Sequence, residues 1–155
     1  MNNKIKQDIH TEFNNANYQT SYELAISSKN LKTDKNILKI IIISSFKLQK
    51  YFESIKYGEE LINSDGFEND LQILQILGTA HSIKENYDKA NTYFEKYLNF
   101  NTKSEIVNYN LGLNYYKQRN FNKAQNQFDK LVSENENYRD SELFLGIIQS
   151  ELNDF

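Results

Sequence analysis

The sequence contains no cysteine, no tryptophan and no proline, and it has only five glycines and two histidines among its 155 residues. Without cysteine, the chain cannot form disulfides, thiolate metal sites, iron–sulfur clusters or a cysteine nucleophile. Five glycines leave little room for a glycine-rich phosphate loop, and neither GxGxxG nor a P-loop motif occurs. Because proline and glycine interrupt regular elements, their scarcity favours a mostly helical protein.

The charge of the chain is nearly balanced, with 18 basic and 21 acidic side chains and a formal net charge of -3. Binding to a phosphate backbone needs a concentrated positive field, so this balance argues against a nucleic-acid partner. Hydrophobic residues make up 39% of the chain and aromatic residues 14%, which is enough to bury a core. We therefore expect a single domain over residues 1–155.

The longest apolar stretch runs from Ile37 to Phe46 and includes the consecutive isoleucines Ile40 to Ile43. A stretch this short, interrupted by Lys39 and two serines, cannot span a bilayer, so it predicts a buried helix. The N-terminus lacks the apolar segment of a secretory signal. These features predict a protein without membrane insertion and with a cytoplasmic location.

Glycine spacing indicates an internal repeat. Gly78, Gly112 and Gly146 are 34 residues apart, and each follows a leucine. The same register places an aromatic residue nine positions after each glycine, followed in the first two units by an alanine and a phenylalanine. These residues are Tyr87, Phe121, Phe155, Ala90, Ala124, Phe94 and Phe128. A fixed period of this length predicts stacked structural units.

Each repeat unit is predicted to be a pair of antiparallel helices. The leucine, the glycine and the residue three positions later lie on one helical face, where glycine allows a neighbouring backbone to approach closely. The alanine and phenylalanine form one face of a second helix. Gly58 is predicted to serve the same close packing, and Gly66 is predicted to lie in a loop. A single pair cannot bury its apolar face, so we expect the pairs to stack.

These residues resemble the tetratricopeptide repeat (TPR) family, whose unit is a helix–turn–helix of 34 residues. The matching residues are Leu74, Leu77, Gly78, Tyr87, Ala90 and Phe94 in one unit and Leu111, Gly112, Tyr115, Phe121, Ala124 and Phe128 in the next. Thr102 and Glu136 replace the closing proline of the family, and Asn108 replaces its first aromatic residue. The resemblance implies an all-α, right-handed α-solenoid of about four TPR-like helix pairs plus one terminal helix.

The repeat register predicts nine helices. Their expected bounds are 3–15, 18–30, 35–48, 51–63, 69–84, 87–99, 103–118, 121–133 and 139–152. The corresponding repeat units are 3–30, 35–63, 69–99, 103–133 and an incomplete unit at 139–155. Because the ninth helix has no paired second helix, two alternatives stay open: the N-terminal part of a longer protein, or a terminal cap.

The helix predicted over 51–63 has two possible registers. In one register its inward face consists of Ser54, Gly58 and Leu61, whereas the register through Phe52 would bury Glu59. Burial of an unpaired carboxylate is unfavourable, so we expect the first register.

Residues that could carry catalysis are few. His10 lies on a degenerate first helix without a carboxylate pattern beside it, and His81 is expected to fill space between helices. Adjacent carboxylates such as Glu59 and Glu60 diverge on a helix instead of converging on a substrate. No HExxH motif, nucleophile elbow or acidic metal loop occurs. We therefore expect a protein without enzymatic activity, cofactor or bound metal.

The TPR resemblance places the candidate binding surface on the first helices of successive pairs, which line the concave groove in that family. Some TPR proteins bind a C-terminal carboxylate there through Lys, Asn and Arg, but Ile43 and Phe144 replace two members of that clamp. This face mixes aliphatic residues, Ile106 and Leu143 among them, with Tyr109 and Tyr116, which favours a partly apolar peptide. The predicted peptide-binding residues are Lys39, Ile76, Thr79, Ile83, Tyr109, Asn110, Leu113, Tyr116, Lys117 and Phe144.

The resemblance implies a non-catalytic protein–protein interaction module that binds a peptide or a partly apolar partner segment. Three alternatives stay open: the helical-repeat portion of a larger enzyme such as a transferase, a small TPR-type chaperone, and self-association through the C-terminal helix. The groove residues also have an alternative role in packing. Tyr109, Tyr116 and Ile76 suit a core. Leu113, Phe144 and Ile147 suit contacts with each other or with a further helix.

Overall fold

The computed structural model describes residues 2–28, 33–135, 138 and 140–153, which form nine α-helices and no strand. The helices begin and end within two residues of their predicted bounds, except that α2 ends at Ser27 where residue 30 was the predicted end. The all-α fold class is confirmed. Residues 29, 30 and 139, Glu136 and Phe155, which also entered the predictions, lie outside the described residues. The helices are α1 Asn2–Asn14, α2 Tyr18–Ser27, α3 Lys35–Lys47, α4 Tyr51–Ile62, α5 Leu71–Ile83, α6 Tyr87–Leu98, α7 Glu105–Lys117, α8 Phe121–Glu134 and α9 Ser141–Asn153.

The chain divides into two compact units. Unit 1, Met1–Lys84, contains α1 to α5, and unit 2, Glu85–Phe155, contains α6 to α9. In each unit, every helix packs against the next one along the chain, and α3 of unit 1 also contacts α1 and α5. The odd-numbered helices are the first helices of the predicted pairs. The pair α5 and α6 is divided between the units, so the single domain and the repeat units stay predictions.

The isoleucine run lies at the centre of unit 1. Ile40, Ile41, Ile42 and Ile43 are all buried, because α3 contacts α1, α2, α4 and α5 and therefore has apolar neighbours on every side. The predicted buried helix is confirmed. Among the described residues, no helix has both the length and the apolar composition that crossing a bilayer requires.

On α4, the inward register is also the predicted one. Ser54, Gly58 and Leu61 are buried, and Phe52 is largely exposed. The hydroxyl groups of Ser54 and Ser45 lie 2.9 Å apart, which satisfies two polar side chains at the contact of α4 with α3. Small residues at this contact allow the two helices to approach closely.

The turns within predicted pairs use left-handed backbone without glycine. Gln49, between α3 and α4, has a φ of 59°. The N–H of Lys50 donates to the carbonyl of Ser45, and the N–H of Gln49 donates to that of Phe46, which makes a Schellman motif. Positive φ recurs at Ala16, Glu85 and Arg119, and the same two hydrogen bonds recur at Ala16 and Arg119.

An aromatic contact spans three of these turns. The rings of Phe46 and Tyr51 meet edge to face with centroids 5.8 Å apart. Such pairs are favourable beyond the apolar area that they bury. Because each contact joins the end of a first helix to the start of a second, it holds the two helices antiparallel. We call these contacts aromatic clasps, and the others are Phe13 with Tyr18 and Tyr116 with Phe121.

Glycine packing follows the prediction at two helical positions and departs from it at a third. A Cβ atom added to Gly112 would lie 3.0 Å from ring carbons of Phe128, and one added to Gly58 would lie 2.7 Å from a leucine methyl group. Gly66 has a φ of 87° and lies in the loop predicted for it. Within the part of the chain that the structure describes, nothing lies within 4 Å of a Cβ added to Gly146, so the close contact predicted there is wrong. Gly146 therefore follows the 34-residue spacing but lacks the close helix contact that is found at Gly112.

Aspartates at two helix N-termini also form ion pairs. Asp34 caps α3 by accepting two backbone N–H bonds, and its Oδ2 lies 2.6 Å from Nζ of Lys6 on α1. Asp70 caps α5 in a similar way, and its Oδ2 lies 2.6 Å from Nζ of Lys39 on α3. Each carboxylate therefore begins one first helix and ties it to the preceding first helix.

We expect Asp34→Ala to lower the free energy of unfolding by about 1 kcal/mol at pH 7, the usual loss for a helix cap. The hydrogen bond from Lys6, together with the backbone N–H groups, holds the pKa of Asp34 below its ordinary value. This contribution is complete above the pKa of about 4 in the unfolded chain and is lost as the pH falls through the lower folded pKa. Urea denaturation measured from pH 7 downwards should therefore show a shrinking difference from the parent protein.

Asp8→Ala is the matched control, because Asp8 is exposed on α1. It removes a carboxylate of the same kind, and we expect a change within about 0.5 kcal/mol at pH 7. A loss from Asp34→Ala that is independent of pH, or one no larger than that of the control, would contradict the assignment.

Candidate functional site

In unit 1, the four predicted binding residues lie on α3 and α5. Nζ of Lys39 is 2.6 Å from Oδ2 of Asp70, so its charge already has an intramolecular partner. Ile76 is buried, Thr79 is partly exposed, and Ile83 is 47% exposed. Thr79 and Ile83 thus offer surface to a ligand, whereas Ile76 belongs to the core. Their binding role stays a prediction.

Unit 1 also contains the buried histidine. Nε2 of His81 on α5 lies 3.2 Å from Oε1 of Glu59 on α4, and the Glu59 side chain is about one-third exposed. This contact ties α4 to α5. Across the described residues, no three histidine, aspartate or glutamate side chains are grouped so that they could hold a metal ion.

In unit 2, an aromatic cluster joins α7, α8 and α9. Tyr109 is only 7% exposed, and its ring meets those of Phe128, Tyr138 and Phe144 with centroids 5.8, 5.9 and 6.3 Å away. The rings of Phe128 and Phe144 are stacked 5.2 Å apart, and Phe144 also meets Tyr116 at 5.6 Å. The cluster attaches α9 to α7 and α8, so Tyr109 and Phe144 have a packing role.

The face of α7 beside the aromatic cluster stays accessible. Ile106 is 38% exposed, and Leu143 on α9 is 61% exposed. The other predicted residues on this face of α7 are partly or fully exposed, and their helical spacing aligns them along one side. We define the α7–α9 surface as Ile106, Asn110, Leu113, Tyr116, Lys117, Leu143 and Phe144.

The α7–α9 surface combines apolar contact area with a few polar groups. Its leucines and isoleucine supply area that a partner can cover, and Tyr116 adds an amphipathic ring. The Asn110 amide both donates and accepts hydrogen bonds, and Lys117 adds a single positive charge. These residue types suit noncovalent contact with a polypeptide segment.

No protein-family model and no curated protein sequence matches this chain. Its fold matches solved structures of tetratricopeptide-repeat proteins, so this is a helical-repeat protein with the TPR fold. A MamA chain from Desulfovibrio magneticus RS-1 is similar with a TM-score of 0.84 and 14% identity, over 98% of this chain and 85% of that one.

Two further solved structures share the fold. YrrB, described as a TPR protein with an unusual peptide-binding site, has a TM-score of 0.77 and 14% identity, over 88% of this chain and 70% of its own. A TPR protein from Parabacteroides merdae ATCC 43184 has a TM-score of 0.78 and 16% identity, over 98% of this chain and 60% of its own. At these identities, the likeness extends to the fold alone.

Proposed function

We propose that this protein is a non-catalytic interaction module whose α7–α9 surface binds a peptide-like, partly apolar segment of a partner protein. One observation carries the proposal: apolar side chains stay exposed on two successive first helices, Ile106 on α7 and Leu143 on α9. Covering such side chains removes apolar area from water, which is favourable. The fold is compatible with this role, because YrrB shares it and is described as having a peptide-binding site.

The aromatic cluster supports the proposal by fixing part of the surface in advance. The Tyr116 ring contacts both Phe121 and Phe144, with centroids 6.0 and 5.6 Å away. A ring held in this way loses little freedom when a partner binds, so more of the contact energy contributes to affinity. Tyrosine is also the residue type that recurs at the energetic centres of interfaces.

The polar groups favour recognition of side chains and main chain over recognition of a terminal carboxylate. A carboxylate clamp needs convergent cations, and Lys39 is already paired with Asp70. On the α7–α9 surface, the amide of Asn110 and the ammonium group of Lys117 are available for hydrogen bonds to a peptide backbone. We therefore propose an internal segment of the partner as the ligand.

The test begins with peptides selected from a displayed library on the parent protein. We expect the double variant Ile106→Ser with Leu143→Ser to bind the selected peptides at least about tenfold more weakly, because two apolar contacts are removed. Fluorescence polarisation with labelled peptides measures the dissociation constant. Circular dichroism should show an unchanged fold, because both replaced side chains are exposed.

Phe100→Ser is the matched control, because Phe100 is 57% exposed in unit 2 and lies between α6 and α7. It removes an apolar side chain of at least equal size outside the proposed surface. Equal weakening by the control, or parent-like binding by the double variant, would refute the proposed surface. Sedimentation of each protein without peptide separates loss of peptide binding from a change in self-association.

A further inference from the structure

A second surface of unit 2 is a polar groove among α6, α7 and α8. Its volume is about 400 Å³. One wall is a stripe of α6 whose members recur at helical spacing, and the other wall comes from the end of α7 and the start of α8. We call it the polar groove, and its lining residues are Asp88, Asn91, Thr92, Glu95, Tyr115, Gln118, Asn120 and Lys123.

A chain of amide hydrogen bonds holds one end of the polar groove. Nδ2 of the buried Asn114 donates to Oδ1 of Asn91 at 2.9 Å, and Nδ2 of Asn91 donates to Oε1 of Gln118 at 2.9 Å. Nε2 of Gln118 then donates to Oδ1 of Asp88 at 2.7 Å. The Asp88 carboxylate is therefore oriented from the core outwards, with its second oxygen left for another donor.

The other end is held by a tyrosine. The hydroxyl of Tyr115 donates to Oε1 of Glu95 at 2.5 Å. Burial and the nearby Glu95 carboxylate raise the pKa of Tyr115, so its hydroxyl stays protonated and remains a donor at neutral pH. Nζ of Lys123 lies 5.1 Å from the centre of the Tyr115 ring, and both residues belong to the wall that faces α6.

Both carboxylates of the polar groove are oriented by neutral donors and are not neutralised. Among the described residues, neither Asp88 nor Glu95 takes part in an ion pair. They are seven residues apart on α6, which corresponds to about 10 Å along the helix. The groove thus presents two oriented carboxylates at a defined separation, within a cavity that is large enough for side chains. The one cation among its described lining residues, Lys123, lies against the Tyr115 ring instead of pairing with either carboxylate.

We propose that the polar groove binds a partner-protein segment that carries two arginines in the pattern Arg-x-x-Arg. In an extended polyproline II segment, residues three apart lie on the same side and about 9 Å apart, close to the spacing of Asp88 and Glu95. A guanidinium group donates strong, charge-assisted hydrogen bonds to a carboxylate, and the second oxygen of Asp88 and that of Glu95 can each accept one. This site is separate from the α7–α9 surface and does not depend on its function.

The experiment uses an N-acetylated, C-amidated and fluorescently labelled Arg-x-x-Arg peptide of about ten residues, with fluorescence polarisation at low salt. We expect Asp88→Asn and Glu95→Gln each to weaken binding about three- to fivefold, and the double variant about tenfold. Both replacements keep the oxygen that accepts from Gln118 or Tyr115, so circular dichroism and the melting temperature should stay unchanged. A Glu-x-x-Glu peptide should not bind.

Asp129→Asn is the matched control, because Asp129 is exposed on α8 outside the polar groove and its replacement changes the net charge equally. Equal weakening by this control would show general attraction to an acidic protein and overturn the proposal. Parent-like binding by the double variant, or no binding to the parent protein, would overturn it as well. Displacement of the peptide by spermidine at an equal concentration would show that the polar groove binds small cations, and this result would overturn the proposed partner segment. Ile106→Ser with Leu143→Ser should bind the arginine peptide as the parent does.

Discussion

Replacement of Phe128 by alanine should lower the free energy of unfolding by about 3 to 5 kcal/mol, the range for removal of a buried phenylalanine. Phe128 is fully buried, stacks on Phe144 at 5.2 Å and meets Tyr109 edge to face. Its removal leaves a cavity between α7, α8 and α9 and removes the ring that stacks on Phe144 of α9. Urea denaturation followed by circular dichroism measures the loss.

The control for Phe128 is another phenylalanine of unit 2. Phe100→Ala removes the same atoms from an exposed position, and we expect a change within about 0.5 kcal/mol. Because a loss of several kcal/mol is a large part of typical total stability, Phe128→Leu provides a milder test, with an expected loss of at most about 1.5 kcal/mol. Similar urea midpoints for Phe128→Ala and Phe100→Ala would show that the aromatic cluster is not part of the stabilising core.

The second large effect concerns two glycines at equivalent repeat positions, whose replacement by alanine should change the stability of the protein in opposite directions. Gly112→Ala should destabilise the protein by about 1 to 3 kcal/mol, because its Cβ would lie 3.0 Å from the Phe128 ring and 3.2 Å from Cβ of Gln127. Gly146→Ala should stabilise it by about 0.5 to 1 kcal/mol, because the position is helical and has free space. Thermal denaturation of the two variants gives the comparison directly.

Each glycine variant serves as the control for the other. Both replace a helical glycine by the best helix former, so the intrinsic preference is the same and only the surroundings differ. Two changes of equal sign and size would mean that close packing at Gly112 does not determine the outcome. A destabilised Gly146→Ala variant would mean that a neighbour lies over Gly146 in solution.

The helices could be predicted from the sequence because their signals recur. Leucine, glycine, alanine and aromatic residues repeat at one spacing, and an error at one position is corrected by the same position in the next unit. The aromatic clasps show why the register holds, since Tyr51 and Phe121 begin their helices in contact with the preceding first helix. The prediction for Gly146 is wrong for the same reason, because a periodic pattern predicts equal surroundings at every copy.

The candidate site was harder to predict, because a helical position does not specify which neighbour a side chain meets. Lys39 lies on the expected helix, but its partner Asp70 follows 31 residues later and is recognisable in the sequence only as a helix cap. The repeat register predicts Tyr109 in a groove, but the ring is buried and meets those of Phe128, Tyr138 and Phe144. Such contacts depend on side-chain directions that periodicity does not contain.

Polar residues with buried roles were the least visible in the sequence. Asn91 and Asn114 look like surface residues among many asparagines, yet both are buried and belong to the hydrogen-bond chain of the polar groove. In the sequence, Asn108 and Thr102 are two separate departures from the TPR pattern. In the structure, Nδ2 of Asn108 donates to the carbonyl of Thr102 at 3.0 Å, so the two departures form one contact that attaches the preceding loop to α7.

The left-handed turns have a consequence for what holds the helix pairs together. Among the described residues, four turn residues adopt positive φ although none is glycine, and this backbone costs each of them about 1 kcal/mol or more. A short peptide with such a turn would therefore favour other conformations. In the folded protein, the packing of the helices offsets this cost, and at three of the turns an aromatic clasp adds to this packing. In a chain this poor in glycine, the turns thus depend on the helix contacts that they connect. The four residues are Ala16, Gln49, Glu85 and Arg119.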